Sequence, residues 1–350
     1  MRAINLKTNH LTAPLGMDAG PLFLSWQCVD GVCQTAYEIE LTANGETVWH
    51  SGKVQSAAVH ADAPTVGGSR VRGCWRVRLW DENDTPDAWS EAHFETGLAQ
   101  SDWQGEWVDP ETEEIDIPGM MPSTPLPAPT GSASRRKKKP QARAQRAVQA
   151  PSSGIVPAQN LYCSQGRSAA VHYRQGAVCG MAERCACRGY VLAPGSFTGN
   201  KHLAAQTYDV TQYLRDGENE LLVALGDGWH RSTGGVDGDR DLFGDTLGVL
   251  FQLEVNGQAV CVSDGTMQAT QCGPIRQNDM QQGEVYDARF EGHLTGWHGV
   301  RTYRDDLPIL GMNTVPILEH EAFPGKLLQT PNGETVLDFG RISPAMWRWR

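Results

Sequence analysis

Residues 34–54 read QTAYEIELTANGETVWHSGKV, and their alternation decides the fold class. Tyr37, Ile39 and Leu41 fall on one side of a two-residue period, with Glu38 and Glu40 on the other, which is the pattern of a half-buried strand. Asn44-Gly45 then ends the run. Both residues tolerate positive φ, so the pair predicts a tight hairpin. The design returns in CWRVRLWDENDTPDAWSEAHFETG at 74–97, where Trp75, Val77 and Leu79 oppose Arg76 and Arg78 and a polar turn precedes Trp89. Short strands spaced by turn residues predict a β-sandwich over residues 1–100, of fibronectin or immunoglobulin type, with its tryptophans in the core.

The same signals recur further along. At 207–229, TYDVTQYLRDGENELLVALGDGW places a polar turn at Asp216–Asn219 before the apolar run Leu221–Leu225, the kind of run buried inside a sandwich. TLGVLFQLEVNGQAVCVSD at 246–264 is a second hairpin, turning at Asn256-Gly257. Helical periodicity is nearly absent. A second sandwich, of jelly-roll type, is expected over 189–307, after a connector at 101–117. Beyond Pro308, TVPILEHEAF and ETVLDFG read as the first strands of an incomplete third β unit, 308–350.

Between the sandwiches the composition changes. Residues 118–182 hold no Asp or Glu but nine Lys or Arg, although acids number 41 in the 350-residue chain. A biased linker and a displaced reading frame over 118–188 both account for this. The run SRRKKKPQARAQR at 134–146 is read as a solvated linker, because the net charge of -11 opposes general nucleic-acid binding. No stretch approaches the roughly 18 consecutive apolar residues of a membrane helix, and MRAINLKTNH lacks the apolar core of a signal peptide. A cytoplasmic protein with neither nucleic acid nor membrane as partner is the expectation. The nine cysteines are an odd number and scattered, as reduced thiols are. Cys163, Cys179, Cys185 and Cys187 cluster without the Cys-x-x-Cys spacing of a zinc site.

The ordered fragments APLGMDAGPLFLSWQC, WRVRLWDENDTPDAWSEAHFETGL, DWQGEWV, VLAPGSFTGNKHLAAQTYDVT, GENELLVALGDGWH, GEVYDARF and VLDFG resemble the amino-terminal part of bacterial α-L-rhamnosidases of glycoside hydrolase family 78. The resemblance implies a fibronectin-like sandwich, a jelly-roll domain related to rhamnose-binding modules, further β-structure, and then an (α/α)6 barrel. That barrel carries the paired carboxylates of an inverting glycosidase, one protonating the leaving oxygen and one activating water. The resemblance places them beyond position 350, so no catalytic residue is assigned, and the chain is expected to be inactive alone. A stand-alone sugar-binding protein and an adhesion or scaffold protein are the competing readings.

Two stretches carry candidate sugar contacts. LGDGWHRSTGGVDGDRDLFGD at 225–245 delivers Asp227, Trp229, His230, Arg231 and Arg240 into a Gly-rich loop after a buried strand. An indole there offers an apolar face to a sugar ring, and Asp and Arg side chains take its hydroxyls. Asp237, Asp239 and Asp241 alternate with glycine as an oxygen-liganded Ca²⁺ site requires, although no Glu closes the loop as in an EF-hand. No cofactor is required on this reading, and Ca²⁺ is the one candidate ion. GEVYDARFEGHLTGW at 283–297 adds Glu284, Asp287 and Arg289, either as further contacts to a rhamnose-containing glycoside or as an internal ion-pair network.

Overall fold

A computed structural model of the chain describes residues 1–111, 142–150, 159–167, 169–174, 199–211, 217–226, 230, 243, 244, 247–279, 283–291, 294–311, 314, 315, 317, 321 and 323–340. The first sandwich consists of β1 (Arg2–Thr8), β2 (Leu15–Met17), β3 (Gly20–Val29), β4 (Ala36–Ala43), β5 (Glu46–His50), β6 (Val54–Gln55), β7 (His60–Val66), β8 (Arg72–Trp80) and β9 (Ser90–Thr96). A three-stranded sheet, β1-β3-β7, faces a larger sheet ordered β2-β9-β8-β4-β5, to which β6 adds at β4. The alternation read from 34–54 is realised: Ile39 and Leu41 are fully buried, and so are Trp75 and Val77 on the paired strand β8. The β4–β5 turn has Asn44 at φ 51° and Gly45 at φ 88°, the doubly positive geometry that the Asn-Gly pair predicts.

Trp75 and Trp26 lie in the core, tilted against each other with ring centroids 6.4 Å apart. Each buried indole N–H finds an acceptor, Trp75 at Thr8 Oγ1 (2.9 Å) and Trp26 at Gln34 Oε1 (3.0 Å), so neither carries the penalty of an unmade bond. On the outer face of β8, the guanidinium of Arg78 sits about equally between the Trp80 and Trp89 rings, at 5.1 and 4.8 Å. Its charge is met by Glu38 at 2.5 Å.

The second sandwich runs β10 (Trp107–Asp109), β11 (Ala142–Ala150), β12 (Gln159–Arg167), β13 (Ala169–Arg174), β14 (Leu203–Asp209), β15 (Gly217–Leu225), β16 (Gly248–Val255), β17 (Gln258–Val262), β18 (Gln268–Thr270), β19 (Ile275–Asp279), β20 (Gly283–Tyr286), β21 (His298–Gly299), β22 (Arg301–Tyr303) and β23 (Ile309–Gly311). One sheet is ordered β22-β10-β16-β12-β14-β23, with β17 joined to β16, and the other β13-β15-β11-β18-β21. Val249, Phe251 and Leu253 of the first sheet meet Leu221, Val223 and Leu225 of the second in one core. The apolar run ending at Leu225 is thus a buried strand, as its composition indicates.

Strands β11, β12 and β13 fall inside the acid-free stretch 118–182. Within it, residues 142–150, 159–167 and 169–174 form strands. β11 pairs with β15 over nine positions and β12 with β14 over six. Strand pairing uses backbone donors and acceptors that every residue but proline carries, so these strands form without a legible side-chain alternation. The third unit is a hairpin, β24 (Lys326–Gln329) and β25 (Thr335–Asp338). Leu327, Leu328 and Val336 are exposed on it.

The two sandwiches are joined by buried polar contacts. Arg70, in the turn between β7 and β8, holds Glu254 of β16 in a two-pronged pair, Nε to Oε2 and Nη2 to Oε1, both at 2.6 Å. Its third nitrogen, Nη1, reaches Asp102 at 3.2 Å. The Asp102 carboxyl is held below the usual aspartate range, first by the Ser69 hydroxyl and, against the opposing effect of burial, by Arg70. Gln252, two residues along β16, binds the connector through Gln104 N–H (2.8 Å) and the Asp102 carbonyl (3.2 Å). The even-numbered face of β16, which alternation alone would send to solvent, is therefore covered by the connector and by Arg70.

Glu254 is 2% exposed, so removing its cation leaves a buried carboxylate without its ion-pair partner. Arg70→Met is expected to lower unfolding free energy by about 3 kcal/mol, and Arg70→Met combined with Glu254→Met by clearly less. Equal losses in single and double variants, measured by urea denaturation, would show that the pair is not the controlling contact.

Candidate functional site

The Gly-rich loop leaves the second sandwich from the end of β15, where Leu225 is fully buried. Of its candidate residues, Asp227, Trp229, Arg231, Asp237, Asp239, Arg240 and Asp241 lie outside the described residues. His230 is described, and it is 5% exposed. Its ring stacks on Phe243 with centroids 6.4 Å apart and planes 29° from parallel, and its carbonyl accepts from Phe243 N–H at 3.4 Å. Phe243 in turn lies against Gly199, where an added Cβ would come within 3.1 Å of its ring. His230 thus packs into the structure beside Phe243 and Gly199.

Glu284 lies on β20, opposite Asn278 of β19. Asp287 and Arg289 follow at the end of that hairpin and engage each other. Asp287 caps a short 3-10 helix, Ala288–Phe290, by accepting from Arg289 N–H at 3.1 Å. Its carboxylate also receives the Arg289 guanidinium at two points, Nε at 2.9 Å and Nη2 at 2.5 Å. These contacts, with the Arg289 side chain first among them, lower the Asp287 pKa to about 2. Arg276 stacks over Phe290 at 4.7 Å and adds a second positive charge nearby. The arrangement presents a charged rim beside the hairpin, with the Arg289 side chain 85% exposed. A carboxylate held this low is ionised at pH 7, where it accepts hydrogen bonds and has no proton to donate.

The buried acids elsewhere are engaged with arginines: Glu38 with Arg78, Glu95 with Arg72, Asp109 with Arg301 and Glu254 with Arg70. Sequence reasoning missed the last of these, since Glu254 and Arg70 are 184 positions apart. Among the described residues, no group of three or more His, Cys, Asp or Glu is placed to hold a metal ion.

Two β-sandwiches joined by an ion pair between Arg70 of the first and the buried Glu254 of the second define a tandem-sandwich module. Residues 3–100 match the family model described as "Rha78A-like, N-terminal immunoglobulin domain", and residues 187–322 match "Alpha-L-rhamnosidase N-terminal domain". The chain thus corresponds to an amino-terminal portion of α-L-rhamnosidases. It is 30% identical to an α-L-rhamnosidase of Formosa agariphila over 96% of this chain and 36% of that protein. An Alteromonas α-L-rhamnosidase is 25% identical over 96% of this chain and 35% of its own length. The chain thus spans little more than a third of these relatives. Solved α-L-rhamnosidases share the fold: those of Dictyoglumus thermophilum and Aspergillus terreus each give a TM-score of 0.73, at 22% and 23% identity. Each alignment covers 97% of this chain and 38% of the solved chain.

Arg289→Ala is expected to raise the Asp287 pKa from about 2 toward the usual aspartate value of about 3.9, but not fully, because the backbone N–H of residue 289 still caps it. Carboxyl chemical shifts followed through an acid titration measure this. An unchanged midpoint would mean that the guanidinium is not what holds the proton off.

Proposed function

We propose that this chain is a non-catalytic accessory portion of an α-L-rhamnosidase, in which the loop after Leu225 and the Asp287–Arg289 rim contact a rhamnose-containing glycoside. The observation that carries this reading is the match of both sandwiches to amino-terminal α-L-rhamnosidase domains, in a chain that spans about 36% of its Formosa relative. An α-L-rhamnosidase of Streptomyces avermitilis with the same fold was solved with L-rhamnose bound, at a TM-score of 0.72 and 20% identity.

The chemistry of the described acids supports the non-catalytic part. Inversion needs two carboxyl groups roughly 6.5–9.5 Å apart across one pocket, one of them protonated at working pH. The buried acids named above are each engaged by an arginine in a contact that fixes strands or domains. Asp287, at about 2, is likewise unsuited to act as a general acid. Ca²⁺ is proposed only for the aspartates at 237, 239 and 241, where alternation with glycine would let several oxygens converge on one ion.

The purified chain is expected to release no p-nitrophenol from an aryl α-L-rhamnoside above the buffer rate, and to bind L-rhamnose with measurable heat by calorimetry. Turnover above buffer would overturn the non-catalytic assignment. Absence of heat both with and without added Ca²⁺ would remove the sugar contact and leave a purely structural module. Heat that appears only with Ca²⁺ would assign the ion to the loop.

A further inference from the structure

We propose that the amino-terminal sandwich braces the exit of the second one: it holds strand β23, through which the chain leaves, in a fixed direction. Asp18 and Gln100 are the positioning residues. β23 is a short strand, paired in parallel to the edge strand β14 at three positions, Leu203↔Ile309, Ala204↔Leu310 and Ala205↔Gly311. A three-residue parallel edge is a weak attachment. Two backbone N–H groups of β23 are held from outside the second sandwich. Ile309 N–H donates to Gln100 Oε1 at 2.9 Å, in the turn that begins the connector. Gly311 N–H donates to Asp18 Oδ1 at 2.6 Å, just after β2 of the first sandwich. The second is a charge-assisted bond, the stronger kind.

Close backbone approach at the same place admits only glycine. A Cβ added at Gly311 would lie 2.4 Å from the Gly16 carbonyl oxygen, and one at Gly16 would lie 1.8 Å from Thr207 Oγ1 on β14. Gly16 also has φ +73°, a conformation that L side chains rarely adopt. Thus β23 meets β2 backbone to backbone, and β2 in turn lies against the Thr207 side chain of β14. Beside them, Leu203, Leu250, Ile309 and Trp107 form a small core, with Trp103 of the connector and Leu307 packed against it. The Arg70 pair fixes the same two bodies at a separate point, on β16. Two separated attachments suppress rotation between the bodies where one would permit it, so residues beyond Gly311 start from a defined position and direction relative to the second sandwich.

Trypsin cleavage after the exposed Arg304, and hydrogen exchange at the Ile309 and Gly311 amides, report on this segment directly. In the full chain, Asp18→Ala combined with Gln100→Ala is expected to accelerate both by about tenfold or more, the scale of losing hydrogen bonds of this kind. Melting of the first sandwich, followed by the fluorescence of its core tryptophans, should stay unchanged, because Asp18 is exposed and lies outside that core. Unaltered cleavage and exchange would overturn the proposal and show that β14 alone holds the exit strand. Gly16→Ala gives an independent test: it should loosen the 304–311 segment with Asp18 and Gln100 both present. Protection equal to the parent chain in that variant would also sink the idea.

Discussion

The pair between Arg70 and Glu254 is the constraint on which the rest of the architecture depends. A planar guanidinium matches a carboxylate at two points, and here both oxygens are taken while the third nitrogen reaches Asp102. A carboxylate as buried as Glu254 is tolerable only with such a partner, and the partner belongs to the other sandwich. The two bodies therefore cannot separate without taking from the Glu254 carboxylate the cation that compensates its burial. Gln252 extends the arrangement by tying the connector backbone to the same strand, so that β16 is enclosed on both faces.

That enclosure explains an otherwise puzzling strand. Gly248–Val255 is buried at every position, yet its sequence, GVLFQLEV, carries Gln and Glu at alternate places. In a two-layer sandwich those side chains would face water. Here the connector forms a third layer over part of the sheet, and the Gln252 and Glu254 side chains on the covered face each have partners within hydrogen-bonding distance. Ser263 serves the same layer, donating to the Glu106 carbonyl at 2.8 Å while accepting from Phe251 N–H at 3.0 Å.

The described acids divide by what they are bound to. Those that hold arginines fix strands and domains, and Asp287 with Arg289 caps a short helix at a hairpin end. Of the candidate sugar loop, the structure describes His230, which packs on Phe243.

Alternation and turn chemistry alone determined much of this protein: the all-β class, the first hairpin with its Asn44-Gly45 turn, the core positions of Trp75 and Ile39, and the buried run Leu221–Leu225. These are local signals, because a two-residue period and a positive φ are properties of adjacent residues. The ordered fragments that resemble α-L-rhamnosidases pointed to the family for the same reason, being contiguous text. Three features were decided only in the tertiary structure. Strands formed in a segment whose composition resembles a linker, since backbone pairing is blind to side-chain pattern. Gln252 and Glu254 turned inward, since a connector and an arginine from far along the chain came to cover them. Gly16 and Gly311 became contact points, since nothing near either in sequence reveals that two other strands will touch it. Each depends on residues distant in sequence, and distance in sequence is what a local pattern cannot encode.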